Sequence, residues 1–168
     1  MDKFKISIID NQDKFDINID NIEAVACKML DYITQDADII ESTALENIDL
    51  VEYTLGIDIV FCDDSEIQEL NTSYREMEKP TDVLSFALFA DNPDENFIID
   101  NHISLGEVII SVETAKRQAV EREKKFEEEL YFLLSHGILH LFGFDHPDEG
   151  TLEDMLALQH EMTEFAFK

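Results

Sequence analysis

Cations are scarce in this chain. Twelve Lys and Arg stand against 39 Asp and Glu over 168 residues, a formal net charge of −27. Such a surface is soluble and self-repelling, and it argues against loose nucleic-acid binding, which depends on neutralising phosphates. By itself the imbalance reads as a general acidic bias or an adaptation to solvent. Cysteine is nearly absent too. Cys27 and Cys62 have no motif spacing, which excludes a disulfide framework and predicts buried thiols in a reducing compartment, the cytoplasm. No apolar run approaches the roughly 20 residues that span a bilayer. The opening MDKFKISIID lacks the apolar stretch of a secretory signal. Repeats, low-complexity tracts and Gly/Ser linkers are also missing, so one domain over 1–168 is expected, long enough to bury a core without staples.

What is present is a chain that is 45% hydrophobic, with mixed periodicities. Alternation predicts a strand at 4–9, and the run IDIVFC predicts a second at 57–62. The apolar runs at 83–89 and 105–112 predict a third and a fourth. Between them, Asp20 or Asn21 is expected to cap a helix to about Gln35, with Ile22, Val25, Ala26, Met29, Leu30 and Ile33 on its buried face. The stretch 36–56 reads as loop with a short helical turn, and 91–102 as a polar excursion. Asp63 with Glu66 resembles a capping box opening a helix to Tyr74. Further helices are predicted over 113–124, 126–142 and from Thr151 to the end. The sum is a compact α+β domain with a four-stranded mixed sheet and about five helices.

The helix over 126–142 carries the chemistry. Positions 130–134, 138, 139, 141 and 142 are apolar, so it belongs in the middle of the fold. Two histidines inside it must hydrogen-bond or ligate something. His136 and His140 are four residues apart, which on a helix is about 40° of rotation and roughly 6 Å of rise. Both rings then leave one face and can share a metal at about 2.0–2.1 Å. Gly143 can end the helix and return the chain, bringing His146 back as a third ligand. Three protein nitrogens leave one position for water, the layout of a catalytic zinc, whose water ionises near neutral pH. His102 and His160 have no such company and read as ordinary loop and surface residues.

This is the zincin arrangement with one part missing. Against the metzincin pattern H-E-x-x-H-x-x-G-x-x-H, the chain reads HGILHLFGFDH: the histidines and the glycine fall in register, and Gly137 replaces the glutamate that serves peptidases as general base. Ordinary zinc-peptidase chemistry is therefore not expected. Asp145 is a candidate base or, beside the third ligand, an orienting partner for it.

HGILHLFGFDH, NTSYREMEKPTDVLSF (71–86) and LGEVIIS (105–111) together closely resemble the YbeY family of bacterial metallo-endoribonucleases over about 57–146. Small departures are Phe144 for the usual Tyr, Ala87 for Pro and Glu107 for Asp. The resemblance implies one zinc per chain on His136, His140 and His146. It implies cleavage of single-stranded ribosomal RNA in maturing the 3′ end of the small-subunit RNA and in ribosome quality control, and a catalytic role for Arg75. A guanidinium there could stabilise charge on phosphoryl oxygens, and Lys79 could add a contact. Implied partners are the RNA and the small subunit or an assembly factor that targets the enzyme, with no membrane and no DNA. Lys116, Arg117, Arg122, Lys124 and Lys125 place five of the 12 cations within ten positions. Interleaved glutamates make a solvated helix face the favoured reading over an RNA patch. The alternatives are a zinc hydrolase of peptides or amides and a non-catalytic assembly factor with a structural zinc.

Overall fold

The computed structural model describes residues 2–92, 98–145 and 149–167. In chain order the elements are β1 (Phe4–Asp10), α1 (Ile19–Thr34), α2 (Ala37–Glu41), a 3₁₀ turn (Leu50–Glu52), β2 (Thr54–Cys62), α3 (Asp64–Arg75), β3 (Val83–Phe86), β4 (Ile98–Ile99), β5 (His102–Ser111), α4 (Val112–Glu121), α5 (Phe126–Leu141) and α6 (Glu149–Ala166). The sheet runs β1-β2-β5-β3, parallel across β1, β2 and β5 and antiparallel at β3, while β4 pairs with the start of β5. The four expected strands are all there, in a single α+β arrangement.

A fifth strand, β4, lies in what reads from sequence as an excursion. It joins β5 through Asp100 and Asn101, both at positive φ (49° and 63°). That is the backbone a two-residue hairpin turn of the primed type requires, and Asp and Asn adopt it more readily than most residues. No glycine marks the turn. The hairpin also carries β5 back to His102, so this histidine opens a strand and is no loop residue. Its ring lies against Gly56, where an added Cβ would stand 2.6 Å from two ring atoms. Other boundaries move for local reasons. The cap of α1 is Asn18, accepting from Asn21 N–H, so the helix starts earlier than Asp20 or Asn21 would allow. Asp63 caps α3 by accepting from Glu66 N–H, as the sequence suggests. Strand β3 stops at Phe86, because the chain turns through an Asp91 N–H to Ala87 C=O bond of 2.9 Å. Ser111 ends β5 because it caps α4. The last helix begins at Glu149, two residues before Thr151.

The central strands are apolar on both faces because both faces are covered. Leu55, Ile57, Ile59 and Phe61 of β2 join α1, α5 and α6 in the main core, while Val60 and Cys62 pack with Ile67 of α3 and Leu84 of β3 on the other side. Strand β5 changes parity midway. Ile103 and Leu105 face the main core before Gly106, and Val108 and Ile110 after it. The cause is a bulge: Gly56 pairs with Ser104 but Ile57 with Gly106, leaving Leu105 as the extra residue. Gly106 sits at φ +140°, and a Cβ there would lie 1.9 Å from the Phe86 carbonyl oxygen, so only glycine fits.

On the second face Asp64 clasps α3 to α4. Its carboxylate accepts from Ser111 Oγ and Thr114 Oγ1, each at 2.6 Å, and pairs with Arg117 at 2.8 Å. Burial alone would push this carboxyl up. The hydrogen bonds from Ser111, Thr114 and Arg117, with the guanidinium's charge, outweigh it and hold the group below its ordinary value. A depressed folded pKa contributes stability that is present above the unfolded value of about 3.9 and lost as pH falls through the folded one. Asp64→Asn is expected to lower stability at neutral pH and to flatten the loss on acidification. Urea denaturation of both proteins across the acid limb measures this; identical acid limbs would show that the clasp is not the responsible group.

Candidate active site

Helix α5 is enclosed on nearly every side. From Glu129 to Phe142 each residue is buried except Phe132, His136 and His140, which are partly open. These three recur at four-residue spacing, so they form one stripe, and its C-terminal part floors a cleft. The Nε2 atoms of His136 and His140 stand 3.0 Å apart, with the rings edge to face. The cleft is about 570 Å³ and is shared by both histidines with Arg75, Asp82, Ser85, Asp91 and Asp145.

Each wall follows from a local feature. Arg75 is the last residue of α3, which ends there because Glu76 takes a left-handed conformation (φ 56°). The following loop is held by buried Asn71, whose Nδ2 donates to the Lys79 carbonyl at 2.9 Å. Lys79 itself does not line the cleft. Strand β3 sends Leu84 to the second core and Ser85 to the cleft. Asp82 accepts from Val83 N–H at 2.7 Å and from Gln118 Nε2 at 3.2 Å, which fixes its carboxylate at the cleft's edge. Gly143, at φ +98°, turns the chain after α5 and brings Phe144 and Asp145 round to the opening.

The structure thus brings together Arg75, His136, His140 and Asp145. His146, the third expected ligand, lies outside the described residues. Among the described residues no group of three or more His, Cys, Asp or Glu side chains is placed to hold a metal ion. His160 is exposed on α6, as expected, and neither it nor His102 lines the cleft. Sequence reading missed Asp82, Ser85, Asp91 and Gln159. Gln159 is fully buried on α6, with its Oε1 3.3 Å from His136 Nδ1. A signal for it existed: it falls on the apolar stripe with Met155 and Met162, where a polar residue needs a partner.

Charge in the cleft is one-sided, with Asp82, Asp91 and Asp145 against Arg75. The cation-rich segment 116–125 does not redress this. Arg117 pairs with Asp64 and Arg122 with buried Glu129, each at 2.8 Å. Lys116 lies over the rings of Phe15 and Phe126, and Lys124 over Phe132. These cations serve the fold, in line with the solvated-face reading. Of the two thiols expected to be buried, Cys62 is and Cys27 is only half-buried; burial, and then nearby carboxylates, push Cys62 up to about 12 and raise Cys27.

Gly137 explains the missing glutamate. Any Cβ there would lie 2.5 Å from Val108 Cγ1 and 3.2 Å from Ser85 Oγ. The helix touches the sheet at the position where the peptidases carry their base, so no side chain fits.

An α+β layer with a buried central helix that presents two histidines one turn apart to a cleft is the architecture of a zincin-like hydrolase. A family profile, Endoribonuclease YbeY, matches residues 7–166, and the chain belongs to the YbeY family of endoribonucleases. Relatives of that name include those of Synechococcus sp. RCC307 (48% identical over 114 residues, 68% of this chain and 69% of that one) and Picosynechococcus sp. PCC 7002 (48% over 118 residues, 70% of each). Another, from Synechococcus sp. CC9605, is 46% identical over 108 residues, 64% of each chain. A solution structure of a Thermotoga maritima protein has the same fold, with a TM-score of 0.60 and 23% identity over 97% of this chain and 89% of that one.

Gly137→Ala is expected to destabilise the protein by about 1–3 kcal/mol through overpacking. Val108→Ala in the same chain should recover part of that loss, because the two positions share one contact. Thermal denaturation of both single variants and the double gives the coupling; strict additivity would mean that the helix does not meet the sheet at this point.

Proposed function

We propose that this chain is a zinc-dependent endoribonuclease that hydrolyses phosphodiesters of single-stranded RNA in the cleft of His136 and His140. The observation that carries the reading is the 3.0 Å separation of the two Nε2 atoms beside Arg75. Two nitrogens at that distance fit one ion at about 2.0–2.1 Å from each, at an angle of about 94°, and an opening of about 0.3 Å reaches the tetrahedral value. Imidazole donors favour zinc. His146 follows Asp145 directly and is the third ligand in this reading. A bound zinc supplies Lewis acidity and a water acidic enough to attack near neutral pH.

The chain's own residues do the rest. Arg75 lines the cleft from the end of α3, where it would bind phosphoryl oxygens and stabilise their charge as it builds in the transition state. Asp145, at the cleft's opening, accepts a proton or orients His146 in this reading. Asp82 and Asp91 make the cleft hostile to phosphate until a divalent cation offsets them, so RNA binding there and metal binding are coupled. With so few uncommitted cations, affinity for naked RNA is weak, and the small ribosomal subunit or an assembly factor supplies targeting. The substrate in this reading is the 3′ end of 16S rRNA, together with RNA of defective ribosomes, in the cytoplasm. No helix among the described residues is long and apolar enough to cross a membrane, and neither membrane nor DNA enters as a partner. Peptide hydrolysis lacks its base at Gly137, and an assembly factor with a purely structural zinc would leave the cleft and Arg75 unexplained.

The test pairs metal analysis with an assay on single-stranded RNA. The native chain is expected to carry one zinc. His140→Ala should lose both zinc and cleavage with its circular dichroism unchanged. Arg75→Ala should keep the zinc and lose roughly 10²–10³-fold in rate, the usual scale for removing one charge-stabilising donor. Unchanged cleavage in His140→Ala refutes the reading.

A further inference from the structure

We propose that Gln159 is the positioning residue of the histidine centre: its side-chain amide locks His136 in the tautomer whose Nε2 lone pair faces the cleft. The inference rests on the metal reading above for its purpose, but its geometry stands apart from it.

Gln159 is fully buried between α6 and α5, so its amide must find partners within the protein. Three lie within reach. Nε2 is 3.3 Å from the Phe132 carbonyl oxygen and 3.2 Å from Ser135 Oγ, and Oε1 is 3.3 Å from His136 Nδ1. The direction of these bonds is forced. A carbonyl oxygen can only accept. Ser135 Oγ spends its one hydrogen on the same Phe132 carbonyl, at 2.6 Å, and offers Gln159 only lone pairs. Both partners on that side are acceptors, so the amide nitrogen belongs there. The amide oxygen must then face His136, and an oxygen cannot donate, so His136 Nδ1 carries the hydrogen.

A neutral imidazole has one N–H. With the hydrogen on Nδ1, the Nε2 of His136 keeps its lone pair, aimed toward His140 Nε2 and the cleft. The backbone of Phe132 thus sets, through Ser135 and Gln159, which nitrogen of His136 can ligate. The same bond stops the ring from flipping. An amide does this without adding charge, whereas a carboxylate at 159 would place a fourth negative group near a cleft that already holds Asp82, Asp91 and Asp145. Gln159 therefore orients the ligand while leaving the full charge of a bound cation to act on phosphate.

The test reads the ring itself. Long-range ¹⁵N–¹H correlation spectra of the metal-free protein, at a pH where His136 is neutral, are expected to show it protonated at Nδ1. In Gln159→Leu, which fills the same space without the amide, that preference should be lost and the mixture of a free imidazole should appear. Zinc affinity by chelator competition should fall about 10–100-fold in Gln159→Leu. Gln159→Glu keeps an acceptor toward Nδ1 and should retain the tautomer and bind zinc more tightly than Gln159→Leu. A structural role alone would alter stability but not the tautomer. His136 protonated at Nε2 in the native protein, or Gln159→Leu with an unchanged tautomer and unchanged zinc affinity, overturns the proposal. A native chain that shows the Nδ1–H tautomer yet takes up no zinc upholds the lock and rejects the metal reading instead.

Discussion

Helix α5 meets the sheet at a residue with no side chain. Gly137 rests against Val108 more closely than a Cβ allows, with Ser85 close beside it, and much of the site depends on that contact. It requires Val108 to face the helix, which in turn requires the bulge at Leu105 and Gly106 that switches the parity of β5. With α5 drawn down onto β3 and β5, and with α1, α4 and α6 packed around it, one stripe stays open: Phe132, His136 and His140. The contact that seats the helix therefore also decides which side chains reach the cleft. It removes the peptidases' general base from the repertoire and leaves the histidines in a cleft shared with Arg75, Asp82, Asp91 and Asp145.

Electrostatics narrows the chemistry further. A protein with a net charge of −27 repels polyanions at long range, and Lys116, Arg117, Arg122 and Lys124 of its cation cluster are engaged with Asp64, Glu129 and aromatic rings. Within the cleft, an anionic substrate gains attraction from Arg75 and, in the proposed reading, from a cation on the histidines. In the proposed reading, an acidic surface and a nuclease family coincide because attraction for RNA is confined to one small, strongly charged centre and partners bring the substrate to it.

Much of this was legible in the residues. His136 and His140 are tied together by helical spacing alone, and the four main strands follow from alternation and apolar runs. Gly137 is visible as a missing carboxylate, although the reason, contact with Val108, is a tertiary fact that no local pattern carries. The β4–β5 hairpin was hidden because Asp100 and Asn101 make its turn without the glycine that usually marks one. Asp82 and Ser85 lie within PTDVLSF, yet which face of a four-residue strand looks into a cleft depends on where α3 and α5 pack. Gln159 was concealed for a related reason. Its polarity on the apolar stripe of Met155 and Met162 flags that it needs a partner, but only the packing of α6 on α5 shows that the partner is His136.

The central claim is that the cleft of His136 and His140 cleaves single-stranded RNA with a bound metal. The most direct measurement strips the native chain with a chelator and titrates zinc back while following cleavage of a single-stranded RNA oligonucleotide. The stripped chain is expected to show no cleavage, followed by a rise that saturates at one zinc per chain. Undiminished cleavage after stripping, or none at any zinc concentration, would contradict the claim.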